Sequence, residues 1–460
     1  MLFNSYPFIF LFFPIVLAGY FLLGRTRFNK LANLWLVLAS LAFYGYWDIS
    51  FLPLLLGSIL VNYTLSGGIL REKRLNRLLQ QKIFFGLGLF FNLGLLGIYK
   101  YLDFFLENIN LLGANVPLLH LILPLGISFF TITQILYLLD CYAGVAKDHD
   151  FINYALFVSF FPHLLAGPIL YHKPMMEQFS NSELRRLNWD NMASGLSLFI
   201  IGLTKKVIIA DSLISFIAQG FSHPENLTMV TAWFTAVSYM MQLYFDFSGY
   251  SDMAVGLAKM LNIDIPMNFN APYRAKSLIA FWQRWHISLT NAITACVYMP
   301  VLRSFKQMSW GAMVFSSFVA FFVVGIWHGA GWKYVAFALL HSGGIVVNHI
   351  WRHYHLWMPV RLGQAITMLV VLISHVIFRA DDMHNAGQML LAMTGAHGFY
   401  SGLQFPRMLI IAILLAAFAP TSLTLSKRNP SYATAIILAA ALTYSVSRLS
   451  SITEFLYFQF

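Results

Sequence analysis

The run Phe8-Ile9-Phe10-Leu11-Phe12-Phe13-Pro14-Ile15-Val16-Leu17-Ala18-Gly19-Tyr20-Phe21-Leu22-Leu23 carries no charged side chain. A strand crossing a bilayer would alternate apolar and polar positions over roughly ten residues. This run is apolar throughout, and an isolated segment in hydrocarbon satisfies its backbone groups only as a helix. No polar region follows the small residues Ala18 and Gly19, so the segment reads as a retained helix and not as a cleaved leader.

Outward from it, similar blocks recur near Leu31 to Trp47, Phe51 to Ile69, Ile83 to Tyr101, Leu119 to Leu139, Ala193 to Ile209, Met229 to Phe247, Ala312 to Ile326, Val335 to Trp351, Ile366 to Phe378, Met408 to Phe418 and Thr434 to Ser447. These predict about twelve transmembrane helices. Of the 460 residues, 10% are charged and 59% hydrophobic, against roughly 25% charged in a soluble domain. The expected fold is an all-α polytopic membrane protein, a single membrane-embedded domain over residues 1–460.

The net charge of +11 would raise nucleic acid as a partner in a soluble chain. Here the basic residues gather between apolar blocks, at Arg25, Arg27 and Lys30 and again at Arg71, Lys73, Arg74, Arg77 and Lys82. That is the pattern of cytoplasmic loops, with membrane lipids as the surroundings and no nucleic-acid partner. Two apolar blocks separate the clusters, so both fall on one side. Cys141 and Cys296 supply neither a disulfide framework nor a Cys-based zinc cluster.

The segments from Phe151 to Phe179 and from Ser248 to His286 are interrupted by Pro162, Pro168, Gly249, Gly256, Pro266 and Pro272. Broken helices at membrane depth belong inside protein or beside a wet cavity, which makes the middle of the chain the expected site. No internal repeat is visible, which argues against an inverted-repeat transporter.

Two segments place polar groups within apolar sequence: Phe281-Trp282-Gln283-Arg284-Trp285-His286, and Gly325-Ile326-Trp327-His328-Gly329-Ala330-Gly331-Trp332. On a regular helix Trp282, Trp285 and His286 share a face, an aromatic wall beside an imidazole, while Arg284 points elsewhere. An interfacial Trp and Arg belt with a core histidine fits the same residues. His328 ends a long uncharged run among small residues, which let a substrate or another helix approach closely. A neutral imidazole there can serve as the general base of acyl transfer, or it can be a satisfied histidine in a helix-packing glycine patch. No zincin-like His pair is present, and no metal is expected. Asp246 and Asp252, six apart, fit partners for Arg284 or Arg274 or caps on a broken helix better than paired catalysts. Lys205 and Lys206 could meet an anionic ligand or snorkel to headgroups.

With these residues in view, the sequence resembles the membrane-bound O-acyltransferase family, in its bacterial alginate O-acetyltransferase-like branch. The resemblance runs through Met1-Leu2-Phe3-Asn4-Ser5, Leu123-Pro124-Leu125-Gly126-Ile127-Ser128-Phe129, Phe161 to Ile169, Asp246 to Asp252, Phe281 to His286, Trp327-His328-Gly329 and the closing Phe455-Leu456-Tyr457-Phe458-Gln459-Phe460. It implies a ring of helices around a central funnel with broken or re-entrant segments. It also implies an essential histidine at His328 and a second active-site histidine at His286. The implied donor is cytoplasmic acetyl-CoA; its phosphates call for a rim of basic residues, with Lys205, Lys206 and the Arg71 to Lys82 loop as candidates, and Trp282, Arg284, Trp285 and Trp327 are further candidate donor-binding residues. The implied acceptor is an extracytoplasmic polysaccharide of alginate, cellulose or another exopolysaccharide type, served through a periplasmic hydrolase-like acetyltransferase partner at the bacterial inner membrane. Where relatives carry an Arg-Asp pair, this chain has Ala292-Ile293-Thr294-Ala295-Cys296, and no acceptor contact is carried over. A polysaccharide or lipid-linked-sugar transporter without chemistry is the rival reading. Meeting of donor and acceptor at one point predicts His328 and His286 on a single buried cavity, within about 15 Å of each other.

Overall fold

The structure, a computed structural model, describes residues 1–26, 29–147, 149–400, 406–427, 431–449 and 455–456. Arg27 of the first basic cluster and Tyr457 to Phe460 of the closing motif lie outside them.

The described residues form helices and connecting segments, with no strand. In chain order the main helices are α1 (Phe13–Gly24), α2 (Asn29–Gly45), α3 (Leu52–Arg74), α4 (Leu78–Leu96), α5 (Ile127–Ala143), α6 (Phe151–Ser159), α7 (Trp189–Thr204), α8 (Met229–Met260), α9 (Leu278–Trp282), α10 (Ile287–Ile293), α11 (Trp310–His328), α12 (Trp332–His353), α13 (Val360–Arg379), α14 (Arg407–Phe418) and α15 (Tyr432–Ser447). Five helical segments are long and apolar enough to cross a membrane: Ile49–Arg74, Leu78–Leu111, Trp310–His328, Trp332–His353 and Val360–Arg379. Five apolar helices are shorter. The chain is an all-α, multi-pass membrane protein.

It packs as two compact units, one of Met1–Ile200, Tyr250–Pro266 and Leu449–Glu454, the other of Ile201–Gly249, Met267–Arg448 and Phe455–Phe460. In the first, both basic loops reach one segment. Lys30 pairs with Asp150, while Lys73 donates to the Tyr142 carbonyl at 2.7 Å and Arg74 to that of Lys147 at 3.4 Å.

Three expected elements are redrawn. The block read as Leu119 to Leu139 begins its helix only at Ile127. Gly126 before it is left-handed (φ 74°), and a Cβ there would sit 2.9 Å from the Leu164 carbonyl oxygen, so only glycine fits. Conversely, Gly249 and Gly256 do not break α8, which continues to Met260. They are places where α7 comes close: a Cβ at Gly249 would stand 2.7 Å from the Gly202 oxygen, and one at Gly256 2.5 Å from that of Gly195. The actual break follows at Asn262, left-handed with φ 60°. Lastly, Trp282 to His286 is not one helix; α9 ends at Trp282 and a turn follows.

Candidate active site

All the candidate residues fall in the second unit. Ser277 caps α9 by accepting from the Ala280 N–H at 3.2 Å. After Trp282 the N–H groups of Arg284 and Trp285 both turn back to the Phe281 carbonyl, at 2.9 and 2.8 Å. His286 then takes a left-handed conformation, φ 45° and ψ 52°, and α10 starts after it. The proline-bounded segment before α9 holds this turn. Asn270 donates to the Arg284 carbonyl at 2.9 Å, Ile287 to the Asn268 carbonyl at 3.0 Å, and Ser288 gives its N–H and hydroxyl to Asn268 Oδ1 at 3.1 and 2.6 Å. His286 is thus fixed from both flanks, fully buried, with its ring 4.8 Å from Phe247 in an edge contact.

The helical face expected to carry Trp282, Trp285 and His286 together does not form, because the turn splays them. Trp282 Nε1–H donates to His341 Nδ1 at 3.2 Å. Trp285 stacks on Phe281 at 5.6 Å and lies 5.7 Å from the His375 ring. Arg284 donates to the Asn270 carbonyl at 3.4 Å.

His328 is the last residue of α11 and is 6% exposed. Phe378 at 5.3 Å and Phe337 at 5.8 Å meet its ring edge-on. Packing explains two of the neighbouring glycines. A Cβ at Gly325 would fall 2.3 Å from Ala338 Cβ on α12, and one at Gly329 2.2 Å from the Tyr334 ring. The glycine patch is therefore a helix contact, and it carries His328 to where α11 ends. Both imidazoles lie against Trp327, His286 at 6.2 Å and His328 at 5.2 Å between ring centroids. Their ring centroids are therefore no further apart than those two distances laid end to end, with the Trp327 ring in contact with both.

The two lysines differ in burial: Lys205 is half-buried and Lys206 buried. Lys206, 2% exposed, bridges Asp246 at 2.6 Å and Asp211 at 2.9 Å. Asp246 is therefore the partner of Lys206 and not of Arg284 or Arg274; Arg274 donates to the Ala419 carbonyl instead. Lys205 reaches Ser422 Oγ at 2.7 Å. Snorkelling does not describe Lys206, whose charge is received by two carboxylates within the unit.

Sequence reading passed over His341 and His375, both buried. Each is an ionisable residue inside a predicted span, the same signal that marked His328. Among the described residues no group of three or more His, Cys, Asp and Glu is placed to hold a metal.

The family model of the membrane-bound O-acyltransferases matches residues 117–378. The chain is similar to the peptidoglycan O-acetyltransferase of Helicobacter pylori, at 41% identity over 431 residues, covering 86% of this chain and 80% of that protein. It is similar to the probable alginate O-acetylase AlgI of Pseudomonas aeruginosa, at 36% identity over 85% of this chain and 75% of that one. A weaker likeness, 26% over 56% of this chain and 68% of the relative, connects it to the teichoic acid D-alanyltransferase of Bacillus subtilis.

Proposed function

This chain belongs to the membrane-bound O-acyltransferase family and is an O-acyltransferase, and from that premise we propose that it moves an acetyl group from cytoplasmic acetyl-CoA towards hydroxyls of an extracytoplasmic polysaccharide. The bacterial inner membrane is the proposed location, a periplasmic hydrolase-like acetyltransferase the proposed partner, and residues 1–460 the acyltransferase domain. The observation that carries the reading is the meeting of His286 and His328 at Trp327. Its acceptor class is that of the relatives named for acting on peptidoglycan and alginate.

In the reaction, the acceptor oxygen attacks the thioester carbonyl, forming a C–O bond as the C–S bond breaks. His328 takes the hydroxyl proton and returns it to the leaving thiolate, which asks for an imidazole within about 3 Å of that proton or one water away. His286, held by its two flanks, orients the carbonyl. Trp282, Trp285, Trp327 and Arg284 remain proposed contacts of the donor. The family match and the relatives named for O-acetylation support acyl transfer over the transporter reading.

The test is transfer of labelled acetyl from acetyl-CoA by purified full-length protein in lipid nanodiscs. His328→Ala is expected to lower the rate by about a thousandfold or more while keeping the wild-type unfolding temperature. A fully active His328→Ala would remove the base from the mechanism.

A further inference from the structure

The ion pair Lys206–Asp246 is buried on both sides, at 2% and 1% exposure. Stability does not account for it. Two buried charges lose hydration that their attraction barely returns, and apolar residues of like size commonly serve at least as well. Within a membrane protein such a pair marks a functional constraint by default.

Its surroundings indicate which constraint. Lys206 stands in a π-helical turn, Lys205–Ala210, that follows α7; such turns are frequent at functional sites. The turn is pressed onto α8 at Gly249, where a Cβ would come 3.1 Å from the Lys206 nitrogen. Asp246 lies one helical turn before Gly249, and its other oxygen accepts from the Leu456 N–H at 3.0 Å. The residue after Asp246 is Phe247, whose ring meets His286 at 4.8 Å, Phe269 at 5.0 Å and Phe455 at 5.7 Å. The clamped point of α8 is thus one residue from the ring that holds the candidate histidine.

We propose that Lys206 and Asp246 are positioning residues which, through Phe247, set the place of the His286 imidazole, and that Lys206 does not bind the phosphates of the acyl donor. The proposal rests on the acyl-transfer reading for its kinetic consequence only. The phosphate role is disfavoured by charge: two carboxylates already surround the ammonium, and an anionic ligand would have to displace one of them.

The experiment uses full-length protein in nanodiscs with Lys206→Met, Asp246→Asn, the double variant Lys206→Met/Asp246→Leu, and Phe247→Leu, which leaves the ion pair intact. Kinetics with labelled acetyl-CoA are expected to show kcat reduced by about tenfold to a hundredfold in the double variant and in Phe247→Leu, with KM for acetyl-CoA within about twofold of wild type. A raised donor KM at unchanged kcat in Lys206→Met would assign the lysine to the donor and overturn the proposal. Recovery of full kcat in a stably folded double variant would make the pair mere packing and overturn it equally. If the ion-pair variants do not fold, Phe247→Leu decides alone, and wild-type kcat there sinks the idea.

A second readout is independent of turnover: carbethoxylation of the His286 peptide, followed by mass spectrometry with the peptide of His149, a half-buried imidazole stacked on Tyr63 in the first unit, as reference. Faster modification of His286 in the double variant and in Phe247→Leu is expected, and unchanged rates refute the positioning role. Should wild-type protein transfer no acetyl group at all, the acyl-donor reading fails, while this labelling result still decides the positioning.

Discussion

His286 is held in a conformation that a non-glycine residue seldom adopts, and that fact separates its backbone role from its side-chain role. Left-handed geometry costs about 1–2 kcal/mol for an ordinary side chain, and Asn and Asp tolerate it best. His286→Asn is therefore expected to keep the unfolding free energy within about 0.5 kcal/mol of wild type and yet lose most activity, whereas His286→Ala loses both activity and about 1 kcal/mol. Denaturant unfolding beside acetyl transfer separates the two; full activity in His286→Asn would mean that the turn, and not the imidazole, is what the reaction requires. His341 is a contrasting case. The Ser374 hydroxyl donates to the Val371 carbonyl at 2.7 Å, so at 2.9 Å it must accept from His341 Nε2–H, and His341 Nδ1 accepts from Trp282. This network assigns His341 as a neutral tautomer with both nitrogens engaged, a fixed support for Trp282 and no base. His341→Phe strands the buried Trp282 N–H and should destabilise by about 1–3 kcal/mol, read as a lowered unfolding midpoint that His341→Gln partly restores. His328 and His286 stood out in the sequence as ionisable residues in apolar surroundings. His341 shared that signal, but its partners lie 59 and 33 positions away, and no local spacing announces such a contact.

At the scale of elements, glycine carried two opposite meanings that the sequence alone could not separate. Gly249 and Gly256 resembled helix breakers because a glycine without its neighbour across the interface is only a loss of backbone order; α7 supplies the neighbour, and α8 runs straight through. Gly325 is the same device between α11 and α12, while Gly343 on α12 has nothing within 4 Å of its would-be Cβ. The two therefore predict different outcomes. Gly325→Leu has to part the helices and should destabilise by about 1–3 kcal/mol, with acetyl transfer falling as His328 moves. Gly343→Ala should stabilise by about 0.5–1 kcal/mol through helix propensity, without a change in rate. Thermal unfolding of the pair in one detergent is the measurement, and equal shifts would mean that the close approach at Gly325 does not constrain the fold. A helix with a long uncharged apolar run, such as α11, was legible at once. The turn at Trp285 and His286 was not, since the hydrogen bonds that make it come from Asn268 and Asn270 on the preceding segment.

For the whole molecule, the expected orientation in the bilayer rests on charge, and the first unit's internal contacts bear on whether the two basic clusters share a side. The clusters around Lys30 and around Arg71 to Lys82 are separated in sequence by α2 and α3, and a simple count of crossings returns them to one side. The structure adds a direct reason: Lys30 reaches Asp150, and Lys73 and Arg74 reach the carbonyls of Tyr142 and Lys147, so three basic residues converge on the last turn of α5 and the connection that follows it. The contribution of the Lys30–Asp150 pair to stability is small, since Lys30 is 70% exposed there and solvent screens an exposed pair. Its meaning is topological, because chain ends of two helical hairpins that share a loop cannot lie on opposite faces of a membrane. Positive charge beside spanning helices is retained on the cytoplasmic side. In a background lacking Cys141 and Cys296, Arg74→Cys and Lys30→Cys should therefore both resist a membrane-impermeant maleimide applied to intact cells, and both should react after the membrane is opened. Strong labelling of both from outside would invert the orientation and place the proposed acetyl-CoA face on the wrong side of the membrane. Labelling of only one would contradict the shared loop itself.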